Sequence, residues 1–308
     1  MTIKTLNSKY LEQVSTLIDI IPLISNDDRF AIKGGTAINL FLFDMPRLSV
    51  DIDLCYLPLT PREQALNDIR QFIKNLSQKV NALGLKTREK QSAVGYESTL
   101  FIRSKTIEVK VEINLVVRGS VYKPILKSLA LEAKKVFKRD VDMLCLDTND
   151  LFAGKICAAL DRQHPRDFFD LHMYFKKFSY TRELHLAFIV YLLSSKRPIS
   201  ELIKPNLLDI ASTYETQFEG MTLTNVTYQT LEETRTKIFE LIPSSFTEQE
   251  KEFLLTFKNG EPKWNLLPIE NIQHFPSVKW KLHNIQAMHP RRRQQALDSL
   301  KRKLECIP

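Results

Sequence analysis

The chain is poor in the residues that build metal–thiolate centres, and it has no long apolar run. Its 308 residues contain 4 cysteines, at positions 55, 145, 157 and 306, without any CxxC spacing, which predicts buried thiols rather than a zinc or redox site. No apolar segment approaches the ~20 residues of a membrane-spanning helix. The polar start MTIKTLNSKY lacks the apolar core of a signal peptide. We therefore expect a cytoplasmic protein with no membrane partner.

Acidic residues are outnumbered, 36 against 44 lysines and arginines, which gives a formal net charge of +8. This excess favours a polyanionic partner, because Lys and Arg gain from phosphate contacts and from the counterions that these contacts release. Simple solubility is the alternative explanation.

Glycine is scarce, with 8 residues in the chain, yet Gly34 and Gly35 stand together in KGGTAINLFLFDMPRLSVDIDLCY, which runs from Lys33 to Tyr56. Glycines let a backbone approach a ligand closely. The helix-like run that begins at Thr36 offers free N–H groups and a positive dipole end. The pair therefore predicts a phosphate cradle.

Two hydrophobic periods divide the chain. In the first half, helical patterns alternate with strand patterns such as Val50–Leu57, Tyr96–Arg103 and Thr106–Val117. From about Thr148 onward, apolar residues recur at helical spacing only. The sequence predicts an α+β chain, with a helix-flanked sheet in residues 1–146 and an all-helical domain in residues 147–308.

One helix of the first half is marked at both ends. Thr60 can cap it, Pro61 suits its first position, and Glu63 completes a capping box. Gly84 follows its last apolar positions. We expect a long helix between these signals.

Two aspartates lie one residue apart in an apolar strand pattern. Asp51 and Asp53 should share one face of the strand, because side chains alternate along it. Neighbouring carboxylates with room for phosphate oxygens suit Mg²⁺, whereas a merely solvated face is the alternative. A third carboxylate can come from the polar face of Thr106–Val117, where Glu112 is the first candidate and Glu108 competes with it.

A second group of charged residues lies in the helical half, in KICAALDRQHPRDFFD. Lys155 could reach a triphosphate, or it could be a surface lysine whose stem covers apolar neighbours. Asp167 and Asp170 are three residues apart on one helix side, and Asp167 could instead compensate the helix N-terminus. We assign no role to His164.

These segments resemble a known family. GGTA, RLSVDID, EVKVEIN, KICAALDR and RDFFDL, in this order, are similar to the motifs of the AbiEii/AbiGii toxins. These toxins are nucleotidyltransferases from bacterial toxin–antitoxin systems, related to abortive infection and to the MenT toxins. The resemblance implies a polymerase-β-like nucleotidyltransferase domain with a mixed sheet, followed by an all-helical domain. It further implies transfer of a nucleotide from a nucleoside triphosphate to RNA, with the tRNA 3′ end as the expected acceptor, and a cognate antitoxin as partner.

The resemblance also implies roles for individual residues. The metals, Mg²⁺ or Mn²⁺, would be bound by the catalytic carboxylates Asp51, Asp53 and Glu112. Lys155 and Asp170 match the two motifs that serve nucleotide binding and activity, and the choice between Asp167 and Asp170 stays open. The implied nucleotide-binding residues are Gly34, Gly35, Thr36, Arg47, Ser49 and Lys155.

Rival functions are a protein-directed nucleotidyl- or phosphotransferase and a non-catalytic nucleic-acid-binding module. Two further expectations concern regulation and RNA. Ser49 lies two residues before Asp51, and a phosphate on it would repel a triphosphate. The basic segment PRRRQQALDSLKRK, from Pro290 to Lys303, could guide the RNA backbone on a helix anchored by Ala296, Leu297 and Leu300, or it could be a solvated terminal helix.

Overall fold

The computed structural model of the protein describes residues 8–91 and 97–305. Tyr96, a predicted strand residue, and Cys306, a predicted buried thiol, lie outside the described residues. Backbone proximity divides the chain into two compact units, residues 8–151 with Phe218–Val226, and Phe152–Gln217 with residues 227–305. The predicted division into a nucleotidyltransferase domain of residues 1–146 and a helical domain of residues 147–308 stays a prediction.

A mixed seven-stranded sheet forms the centre of the first unit, with strand order β3-β4-β5-β2-β1-β7-β6. The pairs β2/β5 and β1/β7 are parallel, and the other neighbours are antiparallel. The predicted α+β class is confirmed. The strands are β1 Phe30–Lys33, β2 Asp51–Tyr56, β3 Lys86–Gln91, β4 Glu97–Arg103, β5 Glu108–Asn114, β6 Ile125–Ser128 and β7 Asp142–Cys145.

Four helices accompany the sheet in the described part of the first unit. They are α1 Ser8–Ile24, α2 Gly34–Thr36 with a π-helical continuation Ala37–Leu42, α3 Arg62–Ala82 and α4 Leu131–Phe137. Helices α1 and α3 contact each other, and both contact the sheet. The Phe30 ring of β1 stacks on the Phe72 ring of α3, with centroids 3.9 Å apart. Each such fully buried side chain stabilises the fold by about 1.5–3 kcal/mol.

Side chains alternate along β2 and β5 between a buried face and a half-buried face of the sheet. In β5, Val109, Val111 and Ile113 are buried, while the residues between them, including Glu112, are half-buried. In β2, Ile52 is buried and Asp51 and Asp53 on either side of it are half-buried. The polar side chains of both strands therefore lie on one face, as the two-residue period predicts.

The capping box predicted at Thr60 is wrong. Helix α3 begins at Arg62, its N-cap is Pro61, and no side chain caps it. Because the helix starts later than predicted, Thr60 lies before the cap, and its hydroxyl is 3.4 Å from that of Tyr56. At the other end, Gly84 adopts φ +82°, as a helix-terminating glycine does.

Within the described residues, the second unit contains helices and turns but no strand. Residues 148–151, which open α5, belong to the first unit. The helices are α5 Thr148–Arg162, α6 Pro165–Lys177, α7 Arg182–Ser194, α8 Ile199–Ile203, α9 Ala211–Gln217, α10 Tyr228–Ser244, α11 Glu248–Asn259, α12 Pro276–Gln286 and α13 Pro290–Glu305, with 3₁₀ turns at Trp264–Leu266 and Ile272–His274. None of the helices in the described part of the chain is both long and apolar enough to cross a bilayer.

Two buried charged side chains in this unit have several hydrogen-bond partners each. Lys281 is buried on α12, and its Nζ donates to the backbone carbonyls of Leu192, Ser195 and Arg197 at 2.8–3.1 Å, which satisfies acceptors at the end of α7. Burial lowers the pKa of Lys281 to about 7. Glu250 receives hydrogen bonds from His185 and Arg182, which connect α7 to α11.

Candidate active site

The polar face of the sheet places the predicted carboxylates side by side. Asp53 on β2 is the direct partner of Glu112 on β5 in the parallel register. Adjacent strands lie about 4.8 Å apart, so the two carboxylates occupy neighbouring positions. Asp51 lies on the same face, beside Lys110. On its other side, Asp53 is paired in register with Lys33 of β1.

The pKa of Glu112 is raised, by burial and by repulsion from the neighbouring aspartates. Burial raises the pKa of Glu112, Asp53 and Asp51 raise it further, and Lys110 opposes them. A cation placed among the three groups would remove this penalty. The structure thus brings together the three predicted metal ligands of the first unit.

The competing candidate, Glu108, lies elsewhere on the same strand. It is the register partner of Arg103 on β4, and its carboxylate forms an ion pair with the Arg103 guanidinium at 2.8 Å. The pairing of β2 with β5 begins at Lys110 and extends away from Glu108. Glu112, and not Glu108, is therefore adjacent to Asp53.

The glycine pair lies directly against this carboxylate cluster. Gly34 has φ +70°, and a methyl group on it would overlap Oδ2 of Asp53 and lie 3.0 Å from Cγ. A methyl group on Gly35 would lie 2.7 Å from Oγ of Ser49 and 2.8 Å from Nη2 of Arg47. Only glycine leaves room at both positions, so the turn lies directly against the side chains of Arg47, Ser49 and Asp53.

The predicted helix after the glycines differs from the observed one. Helical structure begins at Gly34 and changes to a π-helix at Ala37, so the glycines form the first turn instead of preceding it. The Thr36 side chain is buried. Its hydroxyl donates to the carbonyl oxygen of Asp51 at 2.5 Å and is hydrogen-bonded to Ser49 Oγ at 3.0 Å. Thr36 thus fixes the turn to the start of β2.

Arg47 is 2% exposed, and its Nη1 donates to the carbonyl of Leu48 at 2.9 Å. A bridge pairs it with Thr222, and Leu48 N–H donates to the Met221 carbonyl at 3.0 Å. The segment Phe218–Val226, distant in sequence, therefore supports the residues that lead into β2 and its aspartates. No local pattern in the sequence signals this support.

The ligand chemistry of the carboxylate cluster suits a hard cation. It offers oxygen donors only, which Mg²⁺ and Mn²⁺ prefer. Within residues 8–91 and 97–305, no three acidic, histidine or cysteine side chains already surround a common point. Without a cation, carboxylates on one face repel each other, and the pKa of Glu112 is raised by burial first and by Asp53 and Asp51 in addition. Asp51, Asp53 and Glu112 would hold the metal.

A second cluster of predicted residues lies in the second unit, between α5 and α6. Lys155 is 7% exposed, and its Nζ contacts Asp167 Oδ1 at 3.1 Å and Asp170 Oδ2 at 2.9 Å, both aspartates being fully buried. The alternative of a surface lysine is therefore wrong. The structure brings together all three predicted residues of this half.

Asp167 is the most firmly held member of this cluster. The guanidinium of Arg162 binds it in a two-point contact, with Nε at 2.7 Å and Nη2 at 2.8 Å. Burial alone would raise the pKa of Asp167, but Lys155 and Arg162 outweigh it and hold this pKa well below its usual range. Asp167 lies in the first turn of α6, where an acidic residue can compensate the helix dipole, but its carboxylate binds Lys155 and Arg162.

His164 has a structural role that the sequence analysis did not assign. It is the N-cap of α6, and its Nδ1 accepts a hydrogen bond from the backbone N–H of Arg166 at 3.1 Å. Burial, followed by the charge of Arg166, lowers the pKa of His164, which favours the neutral ring that can accept this bond. Pro165 in the next position was the available signal.

The basic segment forms helix α13, as predicted. Its buried anchors are Leu300 and Leu304, whereas Ala296 and Leu297 are half-buried. Arg291 and Arg292 are exposed. The helix is therefore attached to the second unit through its C-terminal half.

Comparison with known structures defines the class first. The fold is similar to that of MenT4, a nucleotidyltransferase toxin from Mycobacterium tuberculosis H37Rv, with a TM-score of 0.61 and 14% sequence identity. The match covers 90% of this chain and 93% of that chain. The likeness establishes a nucleotidyltransferase-type α+β fold.

The sequence then defines the family. A profile described as nucleotidyl transferase AbiEii toxin, type IV toxin–antitoxin system, matches residues 16–284. The chain belongs to this family of nucleotidyltransferase enzymes, which implies a nucleoside triphosphate substrate and an antitoxin partner. No match was found among proteins of curated function.

Proposed function

We propose that the protein transfers a nucleotide from a nucleoside triphosphate to an RNA hydroxyl, with the tRNA 3′ end as acceptor, in the cytoplasm. One observation carries the proposal: Asp53 is in register with Glu112, beside Asp51, and a glycine turn lies directly against Asp53. Carboxylates and an open backbone at one place suit metal-dependent chemistry on phosphates.

The turn supplies the binding surface for the triphosphate. Gly34 and Gly35 present backbone without side chains, so phosphate oxygens can approach as closely as the Asp53 and Ser49 side chains do. The Arg47 guanidinium beside Gly35 offers positive charge to the same phosphates. Thr36, whose hydroxyl is engaged with Asp51 and Ser49, keeps the turn in place.

The carboxylates supply the reactive part of the site. Mg²⁺ or Mn²⁺ held by Asp51, Asp53 and Glu112 would stabilise charge on the attacking and leaving oxygens of an in-line displacement at the α-phosphate. Glu112, whose pKa is raised by burial and by the neighbouring aspartates, is the carboxylate that we assign to accept the proton of the acceptor hydroxyl. The reaction joins the acceptor oxygen to the α-phosphorus and releases pyrophosphate.

The roles proposed for the second unit are nucleotide binding by Lys155 and an activity-supporting role for Asp170. Asp167 is bound at two points by Arg162 and also by Lys155. Asp170 contacts Lys155 at 2.9 Å, and it lies in the segment RDFFDL that resembles a motif of the family. We assign Asp167 to holding the cluster together and Asp170 to activity.

The acceptor assignment rests on charge and on the family. The net charge of +8 favours a polyanion, and the structural neighbour MenT4 is a nucleotidyltransferase toxin. A fold of this class serves many acceptors, so the acceptor needs its own experiment.

The test incubates the protein with total tRNA and each of four α-³²P-labelled triphosphates, alongside Asp51→Ala. Asp140→Ala is the matched control, because Asp140 is an exposed aspartate of the same unit paired with Lys134 at 2.6 Å. We expect label on tRNA with one or more nucleotides, unchanged in Asp140→Ala and absent in Asp51→Ala. Label on a protein instead of RNA would replace this proposal by the protein-directed alternative, and label in Asp51→Ala at the wild-type rate would refute the assigned site.

A further inference from the structure

An arginine is buried in the first unit without an acidic partner. Arg118 lies in the loop after β5 and is 3% exposed. Its Nη1 donates to the carbonyl oxygen of Thr60 at 3.3 Å, while its Nε has no hydrogen-bond partner. Among the described residues, no aspartate or glutamate forms an ion pair with it. The nearby charge that acts on it is Arg62, which repels it, while the Tyr56 and Cys55 side chains beside it have pKa values that burial raises, so they are neutral at neutral pH.

Such an arrangement is unfavourable for the free protein. Removing an ion from water costs several kcal/mol unless opposite charge or hydrogen bonds compensate, and a guanidinium does not lose its proton in proteins. Burial and Arg62 lower the pKa of Arg118, which expresses the same cost. Two other buried charges of the chain are compensated: Lys155 contacts two aspartates, and Asp150 accepts two backbone N–H groups.

The guanidinium lies at the start of the longest helix of the unit. Its hydrogen-bond acceptor, Thr60, directly precedes the N-cap Pro61 of the 21-residue helix α3. No side chain caps this helix, so the first N–H groups of α3 have no side-chain acceptor there. Arg62, the first residue of the helix, is exposed. Glu63 in the same turn is also exposed, and it is the acidic group that opposes an anion.

We propose that Arg118, Arg62 and the first N–H groups of α3 bind a phosphate group. Two guanidinium groups and an uncapped helix N-terminus offer charge-assisted donors in the fork and dipole arrangement that phosphate oxygens accept. The site is separate from the carboxylate cluster, because Tyr56 and Asp51 are the opposite ends of β2, roughly 17 Å apart at ~3.3 Å per residue. The proposal does not depend on the proposed reaction.

The first experiment measures binding of inorganic phosphate to the full chain by calorimetry, in chloride buffer of matched ionic strength. We expect saturable binding that weakens at least about tenfold in Arg118→Met, and less in Arg118→Lys, which keeps the charge but loses the fork. Arg139→Gln is the control, since Arg139 is an exposed arginine of the same unit paired with Asp19 at 2.7 Å. Asp51→Ala should bind phosphate normally, which separates this site from the active site.

Stability gives an independent readout. If Arg118 awaits an anion, Arg118→Met melts at the same or a higher temperature than wild type in phosphate-free buffer, and phosphate raises the melting temperature of wild type more than that of the variant. A purely structural Arg118 would make the variant less stable in both buffers and would overturn the proposal. Because Arg62 is exposed, Arg62→Gln tests the site even if Arg118→Met does not fold.

The source of the phosphate is decided by a parallel binding series with a short RNA duplex. Weaker RNA binding in Arg118→Met and Arg62→Gln assigns the site to a phosphate of the RNA backbone. Unchanged RNA binding together with weakened inorganic phosphate binding assigns it to a small phosphate compound. If both variants bind both probes as wild type does, the site does not exist.

Discussion

The most discriminating substitution at the candidate active site is Gly34→Ala, which adds one methyl group. Two separate penalties apply to it. An L-residue in the left-handed region costs about 1–2 kcal/mol, and Gly34 has φ +70°. In addition, the methyl carbon would overlap Oδ2 of Asp53 and lie 3.0 Å from its Cγ, so the carboxylate of Asp53 must rotate away or the turn must move.

The chain contains a control that isolates the second penalty. Gly84 has φ +82°, and a methyl group there meets no atom within 4 Å. Gly84→Ala should therefore lower the free energy of unfolding by about 1–2 kcal/mol and leave transfer activity unchanged. Gly34→Ala should lose at least as much stability, and it should also lose activity by about 100-fold or more, because a displacement of about 1 Å at a catalytic group has that effect.

Both variants are compared by denaturant unfolding and by initial rates of label transfer from the α-³²P triphosphate, with wild type in each assay. The reasoning requires a large activity difference between variants of similar backbone strain. If Gly34→Ala transfers nucleotide at the rate of Gly84→Ala, the glycine does not serve the Asp53 carboxylate, and the close approach has no functional meaning.

Four further predictions follow from the same contacts. Glu112→Gln should abolish transfer and raise the melting temperature of the metal-free protein at neutral pH. Because the folded protein binds the Glu112 proton more tightly than the unfolded chain does, wild-type stability falls as pH rises from about 4.5 through the raised pKa of Glu112. A variant with the same dependence of stability on pH as wild type would contradict this. Asp167→Asn should lower the free energy of unfolding by about 3–5 kcal/mol at pH 7, because two cations lose their buried partner. Since the pKa of Asp167 is lowered in the folded protein, this contribution to stability is complete above about pH 4 and is lost in acid. Equal urea midpoints of variant and wild type at pH 7 would refute it. Ser49→Asp should stop transfer while Ser49→Ala remains active, and a fully active Ser49→Asp enzyme would remove Ser49 as a point of control. Replacing the exposed arginines 291 and 292 by Ala should raise the KM for RNA and reduce its salt slope by about one unit per lost contact, with nucleotide affinity as the control; an unchanged KM and slope would exclude α13 from the RNA site.

Strong alternation predicts two of the sheet strands. β5 is expected within Thr106–Val117 and spans Glu108–Asn114, and β2 is expected within Val50–Leu57 and spans Asp51–Tyr56. The edge strand β3 was missed. β3 reads KTREKQ and lies at the sheet edge, paired with β4 alone, so its charged side chains need no buried face.

The candidate site was predictable where its residues are adjacent in sequence, and less so where they are brought together by pairing. The spacing of Asp51 and Asp53 gives their common face directly. The choice between Glu112 and Glu108 required the register of β2 against β5, which no local pattern contains, since both residues occupy the same face of β5. The contribution of Phe218–Val226 was invisible for the same reason.

Lys155 shows why exposure could not be judged from a helical pattern alone. A lone lysine among apolar neighbours is most simply explained by a long stem that reaches water, and the pattern of α5 contains no partner for it. The partners come from α6, where Asp167 and Asp170 face Lys155 at 3.1 and 2.9 Å. A buried cation is costly unless opposite charge or hydrogen bonds compensate it. Lys155 has two carboxylates, whereas Arg118 has no acidic partner among the described residues and an Nε without a hydrogen bond. The same rule therefore explains the Lys155 cluster as complete and supports the proposal that an anion binds at Arg118.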